Sequence, residues 1–392
     1  MSTYGPGDTA SAQTDAVHNA ASRSAAYLVN NTQDDGLFEY RINMDPGIKV
    51  RKKKYNILRH AGTIYAMCDY YQLKPDVNIR DAIERAGRYL RDKSILPIPE
   101  RGDISAVWSV LEVIFDGSPL QAKLGGTGLG LVALLSIEKI RPGFTPRSDL
   151  QSLGRFIVYM QKEDGSFYSK YIPSMGGRWD KWQSLYYPGE AALGLLMLYE
   201  KDSSDIWVEA AAKALAYLAD SRKNSAEVPA DHWALLATEK LLTLVSCDKL
   251  PVSWDLLINH AIQICDTILA GQIENIERPE YDGGFSEDGR TTPTAIRLEG
   301  LLAALTILPP DHDIRKRIVA AVHRGISFLL RAQVGEGEFV GAFPRAVDKI
   351  DQDNPNADTF NRRATEVRVD YVQHALSAMI KYLHLTENCS SS

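Results

Sequence analysis

The chain has 392 residues, 45% of them hydrophobic and 24% charged, with a formal net charge of −6. Those values allow a large packed core and exclude disorder as the main state. They also exclude nucleic acid as the main partner, which needs a broad basic surface, and no apolar run reaches the roughly 18 residues of a membrane-spanning helix.

In chain order, residues 1–13 are polar, lack the apolar core of a signal peptide, and are expected to be flexible. Apolar residues at helical spacing then run through twelve segments that fall into pairs: 14–31 and 55–72, 78–93 and 122–139, 147–162 and 187–200, 205–221 and 231–246, 253–271 and 292–307, and 313–332 and 366–384. Residues 386–392 are expected to form a flexible tail. First members carry charge on one face, as in Ile79-Arg80-Asp81-Ala82-Ile83-Glu84-Arg85-Ala86, which suits an outer ring with a solvated side. Second members are apolar nearly all round and rich in small residues such as Gly125, Gly126, Gly128, Gly130, Ala191, Gly194 and Gly300, which suits an inner ring of closely packed helices.

A turn phrase recurs after the first members: Thr32-Gln33-Asp34-Asp35-Gly36-Leu37-Phe38, Gln161-Lys162-Glu163-Asp164-Gly165-Ser166-Phe167, Tyr281-Asp282-Gly283-Gly284-Phe285 and, more loosely, Gln333-Val334-Gly335-Glu336-Gly337-Glu338-Phe339. A repeat running from end to end predicts one all-α domain over 1–392, an (α/α)6 barrel of six outer and six inner helices. The outer-to-inner connections (32–54, 94–121, 163–186, 272–291, 333–365) are mostly long, so they gather at one end, over the N-termini of the inner helices. Function is expected there, where orphan N–H groups and helix dipoles converge.

The inner helices open on polar residues that a structural barrel does not need: Tyr55-Asn56-Ile57-Leu58-Arg59-His60, Tyr186-Tyr187-Pro188-Gly189-Glu190, Asp231-His232-Trp233, Thr294-Ala295-Ile296-Arg297-Leu298-Glu299 and Glu366-Val367-Arg368-Val369-Asp370-Tyr371 with His374. Inside a ring such groups must be paired, hydrogen-bonded or turned to a wet cavity. Glu190 follows a Pro-Gly entry among apolar and aromatic residues, a setting that raises a carboxyl pKa toward the range of a general acid or base; a helix-start carboxylate complementing the dipole is the competing reading. Asp370 and His374 share a helix face at i, i+4 spacing, which predicts a hydrogen-bonded acid–base pair with Asp370 orienting the imidazole. With no third ligand beside them, no metal is expected, and no cofactor motif is present. Arg59 with His60, Arg297 with Glu299, and Arg368 form a set able to clamp an anion, against the alternative of inter-helix ion pairs. Tyr187 and Tyr371 offer flat faces and hydroxyls suited to a sugar. The basic run Lys49-Val50-Arg51-Lys52-Lys53-Lys54 is a solvated face or a steering patch for an anionic substrate.

Gly125-Gly126-Thr127-Gly128-Leu129-Gly130 imitates a nucleotide loop, but it lies inside a helical apolar run with no preceding strand, so it reads as close helix packing. Cys68, Cys247, Cys265 and Cys389 lie far apart without a CxxC pair and are expected to be reduced packing residues of a cytoplasmic protein.

The phrase Gln-x-x-Asp-Gly-x-Phe, complete at Gln161 to Phe167, and the six helix pairs resemble the α/α-toroid superfamily, which includes terpene cyclases, protein prenyltransferase β-subunits and many carbohydrate-active enzymes. The resemblance covers nearly the whole chain. It is one of scaffold, because the Asp-x-Asp-Asp acid of class II terpene cyclases and the Asp, Cys and His zinc set of prenyltransferases are both missing. The helical domains of glucuronyl C5-epimerases and related hydrolases and lyases are also similar in architecture. Together these imply an enzyme acting on a saccharide, an anionic uronate-like one, by acid–base chemistry as hydrolase, lyase or epimerase. Glu190, His374 and Asp370 are then the proton-transfer set, and Arg59, His60, Tyr187, Arg297, Glu299, Arg368 and Tyr371 the substrate-binding set. Two alternatives stand beside it: an isoprenoid cyclase or transferase with a dry aromatic cavity, and a non-catalytic barrel that binds a peptide or protein.

Overall fold

The computed structural model describes residues 6–50, 54–99 and 101–390. Among them the helices in chain order are α1 (Pro6–Asn30), α2 (Ile57–Leu73), α3 (Val77–Tyr89), α4 (Val110–Asp116), α5 (Leu124–Ile140), α6 (Arg147–Tyr159), α7 (Tyr187–Asp202), α8 (Asp205–Arg222), α9 (His232–Leu244), α10 (Trp254–Ala270), α11 (Thr291–Ile307), α12 (Ile314–Ala332), α13 (Ala357–Ala364) and α14 (Val369–Ser390). The inner helices α2, α5, α7, α9, α11 and α14 each pack on the next, and α14 packs back on α2, which closes the ring. The outer helices are α1, α3, α6, α8, α10 and α12. The arrangement is the all-α (α/α)6 barrel expected from the sequence.

The contrast between the rings follows burial. Outer α3 buries Ile79, Ala82, Ile83 and Ala86 along one face and exposes Arg80 and Asp81, whereas inner α5 is buried continuously from Leu124 to Glu138. A helix surrounded on all sides has no face for charge, and close neighbours leave no room for side chains. The glycines of α5 show the second effect: a Cβ on Gly128 would collide with the Glu190 backbone, and one on Gly130 with Val107.

The repeated phrase is a tether between successive outer helices. Gly36 has φ +91°, a left-handed conformation, and a Cβ there would strike the backbone carbonyl of Arg85 on α3, so only glycine allows the approach. Gly165, Gly283 and Gly341 repeat the approach to the carbonyls of Lys213, Arg324 and Arg23 on the next outer helix in turn. A glutamine just past the outer helix spans the same joint: Gln161, Gln272 and Gln333 donate to the carbonyls of Ala210, Ala321 and Ala20, each at 2.8 Å. Where Thr32 replaces glutamine, Arg85 reaches the other way, donating to the carbonyls of Thr32 and Gln33. Phe38, Phe167 and Phe285 follow their glycines by two residues and are buried. The fourth copy is offset from its sequence reading. Gly337 meets nothing, and the tethering glycine and buried aromatic are Gly341 and Phe343, four residues further on. Phe167→Ala, which empties a wedge only 4% exposed, is expected to lower stability by about 3–5 kcal/mol in urea melts; a loss below about half a kcal/mol would remove its structural role.

Short strands line the loop-bearing end: β1 (Arg41–Asn43), β2 (Ile95–Ile98), β3 (Arg101–Val107), β4 (Ala122–Lys123), β5 (Lys170–Ile172), β6 (Gly177–Trp179) and β7 (Glu366–Arg368). They pair antiparallel as β1 with β7, β2 with β3, and β4 with β5 with β6, and none crosses the barrel axis. Two segments expected to open as helix therefore open as strand. Glu366–Arg368 pairs with Arg41–Asn43, and Ala122–Lys123 with Lys170–Tyr171, partners that local periodicity does not reveal.

Of residues 1–13, 1–5 lie outside the described residues, while Pro6 onward is helical and Gln13 donates to Ser327 Oγ at 2.9 Å. Of the tail 386–392, residues 386–390 continue α14, and 391–392 lie outside the described residues. Arg51, Lys52 and Lys53 of the basic run also lie outside them.

Candidate active site

At the N-terminal ends of the inner helices a cavity of about 320 Å³ is lined by residues of α2, α5, α7, α9, α11 and α14 and of β7. Glu190, Arg59, Tyr187, Arg368, Asp370 and His374 all line it, together with His232 and Gln373. The ring geometry makes this convergence: each inner helix contributes its first turns, and all six start at the same end.

Asn56 caps α2, its Oδ1 accepting from the Leu58 N–H at 2.9 Å, which sets the start of the helix and so the place of Arg59. Arg59 Nε lies 3.1 Å from Asp370 Oδ2, and its Nη1 donates to the Tyr40 hydroxyl at 2.7 Å. Arg368 forks onto the same carboxylate, with Nη2 2.8 Å from Oδ2, and its guanidinium lies over the Tyr371 ring at 4.6 Å. Burial alone would push Asp370 upward, but Arg59 and Arg368 outweigh it and hold its pKa below the usual carboxylate range.

That pairing corrects the expected Asp370–His374 couple. His374 Nδ1 instead lies 2.7 Å from Glu299 Oε1 on α11. A carboxyl oxygen as the shortest contact favours the proton on Nδ1, with Nε2 free as a base or, once protonated, an acid. His232 was absent from the assigned set, although its place at the start of an inner helix marked it among the polar openings. It is buried at 1% exposure, neither ring nitrogen has a hydrogen-bond partner among the described residues, and its ring stands edge-on to His374 at a centroid distance of 5.8 Å. Burial, with His374 and Arg297 nearby, lowers its pKa well below the usual imidazole value and keeps it neutral. Asp231 places it by capping α9, accepting from the Ala234 N–H at 3.1 Å while Arg222 Nη2 holds its other oxygen at 3.0 Å. Gly300 leaves space for the His232 backbone and Cβ.

Glu190 is buried, and its Oε2 has no hydrogen-bond partner. Desolvation raises its pKa to about 8, Asp231 adding to the shift and Arg59 opposing it. It is thus protonated at neutral pH. Gly125 forms its cradle, since a Cβ there would collide with Glu190 Oε2 and the Tyr187 ring. The glycine-rich stretch of α5 is helix packing, as read from the sequence, and part of that packing seats a carboxyl.

Four assigned residues do not line the cavity. His60 is buried between the Tyr55 hydroxyl at 2.7 Å and the Ala86 carbonyl at 3.0 Å, where burial lowers its pKa to about 4, so it ties α2 to α3. Tyr371 donates to Glu366 Oε1 at 3.0 Å and supports Arg368 from behind. Arg297 donates to the Pro293 carbonyl at 3.0 Å, beside the cavity-lining Tyr186. Glu299 acts through His374 and does not line the cavity itself. His232, Glu299 and His374 bring three possible ligand atoms within 4.8 Å of one another, the one group among the described residues able to hold a metal ion.

No protein-family model matches the chain, and no curated protein matches it in sequence. Solved structures do match in shape. Cellobiose 2-epimerase from Bacillus thermoamylovorans superposes with a TM-score of 0.68 at 9% identity, covering 95% of this chain and 99% of that one. A D-mannose isomerase gives 0.66 at 12% identity over 94% and 97% of the two chains. An unsaturated glucuronyl hydrolase specific for heparin gives 0.63 at 12% identity over 95% and 98%. At these identities the likeness is one of fold.

Proposed function

We propose that the protein is a carbohydrate-active enzyme that moves a proton at the carbon next to the carbonyl of an open-chain sugar, as a 2-epimerase or an aldose–ketose isomerase. One observation carries this reading: two imidazoles line the same cavity, His232 neutral and without a hydrogen-bond partner among the described residues, His374 oriented by Glu299. His232 suits the base that takes the C2 proton. His374 suits its partner in returning a proton, and the protonated Glu190 suits a donor to the carbonyl oxygen as charge develops there. A glycosidase needs two free carboxyl groups flanking the bond. Here Asp370 is held by two guanidiniums, which favours proton transfer over hydrolysis. The surplus positive charge of Arg59 and Arg368 over Asp370 favours an oxygen-rich, and at its limit anionic, ligand over a hydrocarbon. Solved structures named as a cellobiose 2-epimerase and a D-mannose isomerase share the fold, in keeping with this chemistry.

The test is proton exchange. In D2O, with a panel of mannose, glucose, cellobiose and glucuronate, the protein is expected to place deuterium at C2 of at least one sugar, followed by NMR, with a rate that falls as the pH rises through about 8 and Glu190 ionises. Cleavage of glycosides without exchange, or no exchange with any sugar, would overturn the reading. The His232, Glu299 and His374 group supports a second, metal-assisted reading of the same site. Loss of turnover on chelation, restored by a divalent ion, would select it.

A further inference from the structure

A larger cavity, of about 780 Å³, opens beside the first between the loop that precedes α11, the loop after Phe343, and α13. Both cavities have a lining residue at the start of α11, Arg290 for the larger and Thr292 for the smaller. Four arginines face the larger one, and three are satisfied. Arg278 pairs with Glu280 at 2.9 Å and Asp348 at 2.8 Å, Arg290 with Asp288 at 2.8 Å, and Arg363 with Glu366 at 2.9 Å.

Arg345 is different. No ion pair or side-chain hydrogen bond to its guanidinium is present among the described residues, and its Nη1 is buried without a partner. Its position is nonetheless fixed. Its backbone N–H donates to the Glu366 carbonyl at 2.7 Å and its carbonyl accepts from Thr291 at 3.1 Å, while its guanidinium carbon lies over the Phe360 ring, 4.3 Å from the centroid. Such a contact holds the cation without using its N–H donors, and a buried N–H with no acceptor is costly unless a ligand supplies one. The remaining acidic lining residues, Glu287, Asp351 and Asp353, are exposed side chains, where solvent screens their charge.

We infer that this cavity is a second ligand site, in which the Arg345 fork, seated on Phe360, takes a small oxyanion: the carboxylate, sulfate or phosphate group of a substituted saccharide, or the free ion. A guanidinium matches such groups through two parallel N–H···O bonds. The site stands independently of the proton-transfer chemistry in the neighbouring cavity.

Calorimetric titration of the full chain with glucuronate, and separately with inorganic phosphate, in low-salt buffer is expected to show saturable binding. Arg345→Gln should weaken it about ten- to a hundredfold, Arg345→Lys less, because charge remains without the fork, and Phe360→Leu measurably, because the platform is lost. Saturation by both ions supports a site for the oxyanion itself, and saturation by glucuronate alone supports a sugar-borne carboxylate. His374→Asn should bind the ions as the wild type does while losing turnover, so the anion site and the catalytic reading fail separately. Turnover of a neutral sugar should be unchanged in Arg345→Gln. The inference is overturned if the wild type binds neither ion, or if Arg345→Gln, folded by circular dichroism, binds as tightly as the wild type. Should that variant not fold, equal binding by wild type, Arg345→Lys and Phe360→Leu overturns it.

Discussion

Replacing His374 by Asn is expected to lower turnover by about 10²–10⁴-fold with the fold intact, and His232→Gln is expected to do the same. In the proposed reaction each imidazole carries a proton, which neither amide replacement can do. Their rings share one patch of the cavity, so the double variant should be little worse than either single one, the mark of residues that act as a unit. Glu299→Gln separates orientation from proton transfer. It keeps a side-chain oxygen near His374 Nδ1, so it should lose less than His374→Asn and should change kcat in preference to KM. The measurement is deuterium uptake at C2 beside circular dichroism. A His232→Gln variant within twofold of wild type would remove His232 as the base and leave the reaction to His374 and Glu190.

Glu190 adds a pH signature to both activity and stability. Its folded-state pKa of about 8 lies above the ordinary carboxyl value, so the unfolded chain releases this proton first as pH rises. The stabilising effect is full below the ordinary carboxyl range and is lost as pH rises through about 8. Glu190→Gln should flatten both this slope and the alkaline limb of the rate.

The second large effect is on the fold. Asp370→Asn leaves Arg59 and Arg368 facing each other, the latter nearly buried, with no counter-charge, and is expected to cost about 3–5 kcal/mol in urea melts at pH 7. The pKa of Asp370 is held below the usual range, so by linkage its contribution is present above the ordinary carboxylate pKa and disappears as the pH falls through the folded-state value. The wild type should therefore lose stability on acidification more steeply than Asp370→Asn, and the two should approach each other at acid pH. Equal stability at pH 7 would mean that the pair is replaceable and that Asp370 is retained for the ligand.

What the sequence determined is what is local or repeated. A period of 3.6 marks a helix wherever it stands, burial on all sides demands small uncharged residues, and a Gly–x–Phe turn carries its own geometry; these are enough to give the helix pairs, the two rings and the end at which the long loops gather. The same logic raised the pKa of Glu190, since a carboxyl in an apolar helix start is desolvated wherever the helix goes. What only the tertiary structure decided is partnership. Asp370 and His374, one turn apart, invited pairing, but each found a stronger partner elsewhere: Arg59 on the adjoining α2 and Arg368 on β7 for the carboxylate, Glu299 on the adjoining α11 for the imidazole. Gly341 took the tethering place from Gly337 because the test is an approach to Arg23 at the other end of the chain. His232 joins His374 in one cavity because ring closure gathers the starts of α9 and α14 at the same end, and neither of its nitrogens has a hydrogen-bond partner among the described residues. Charge pairing is decided by distance in space, and in a closed ring the nearest charge usually lies on a different helix.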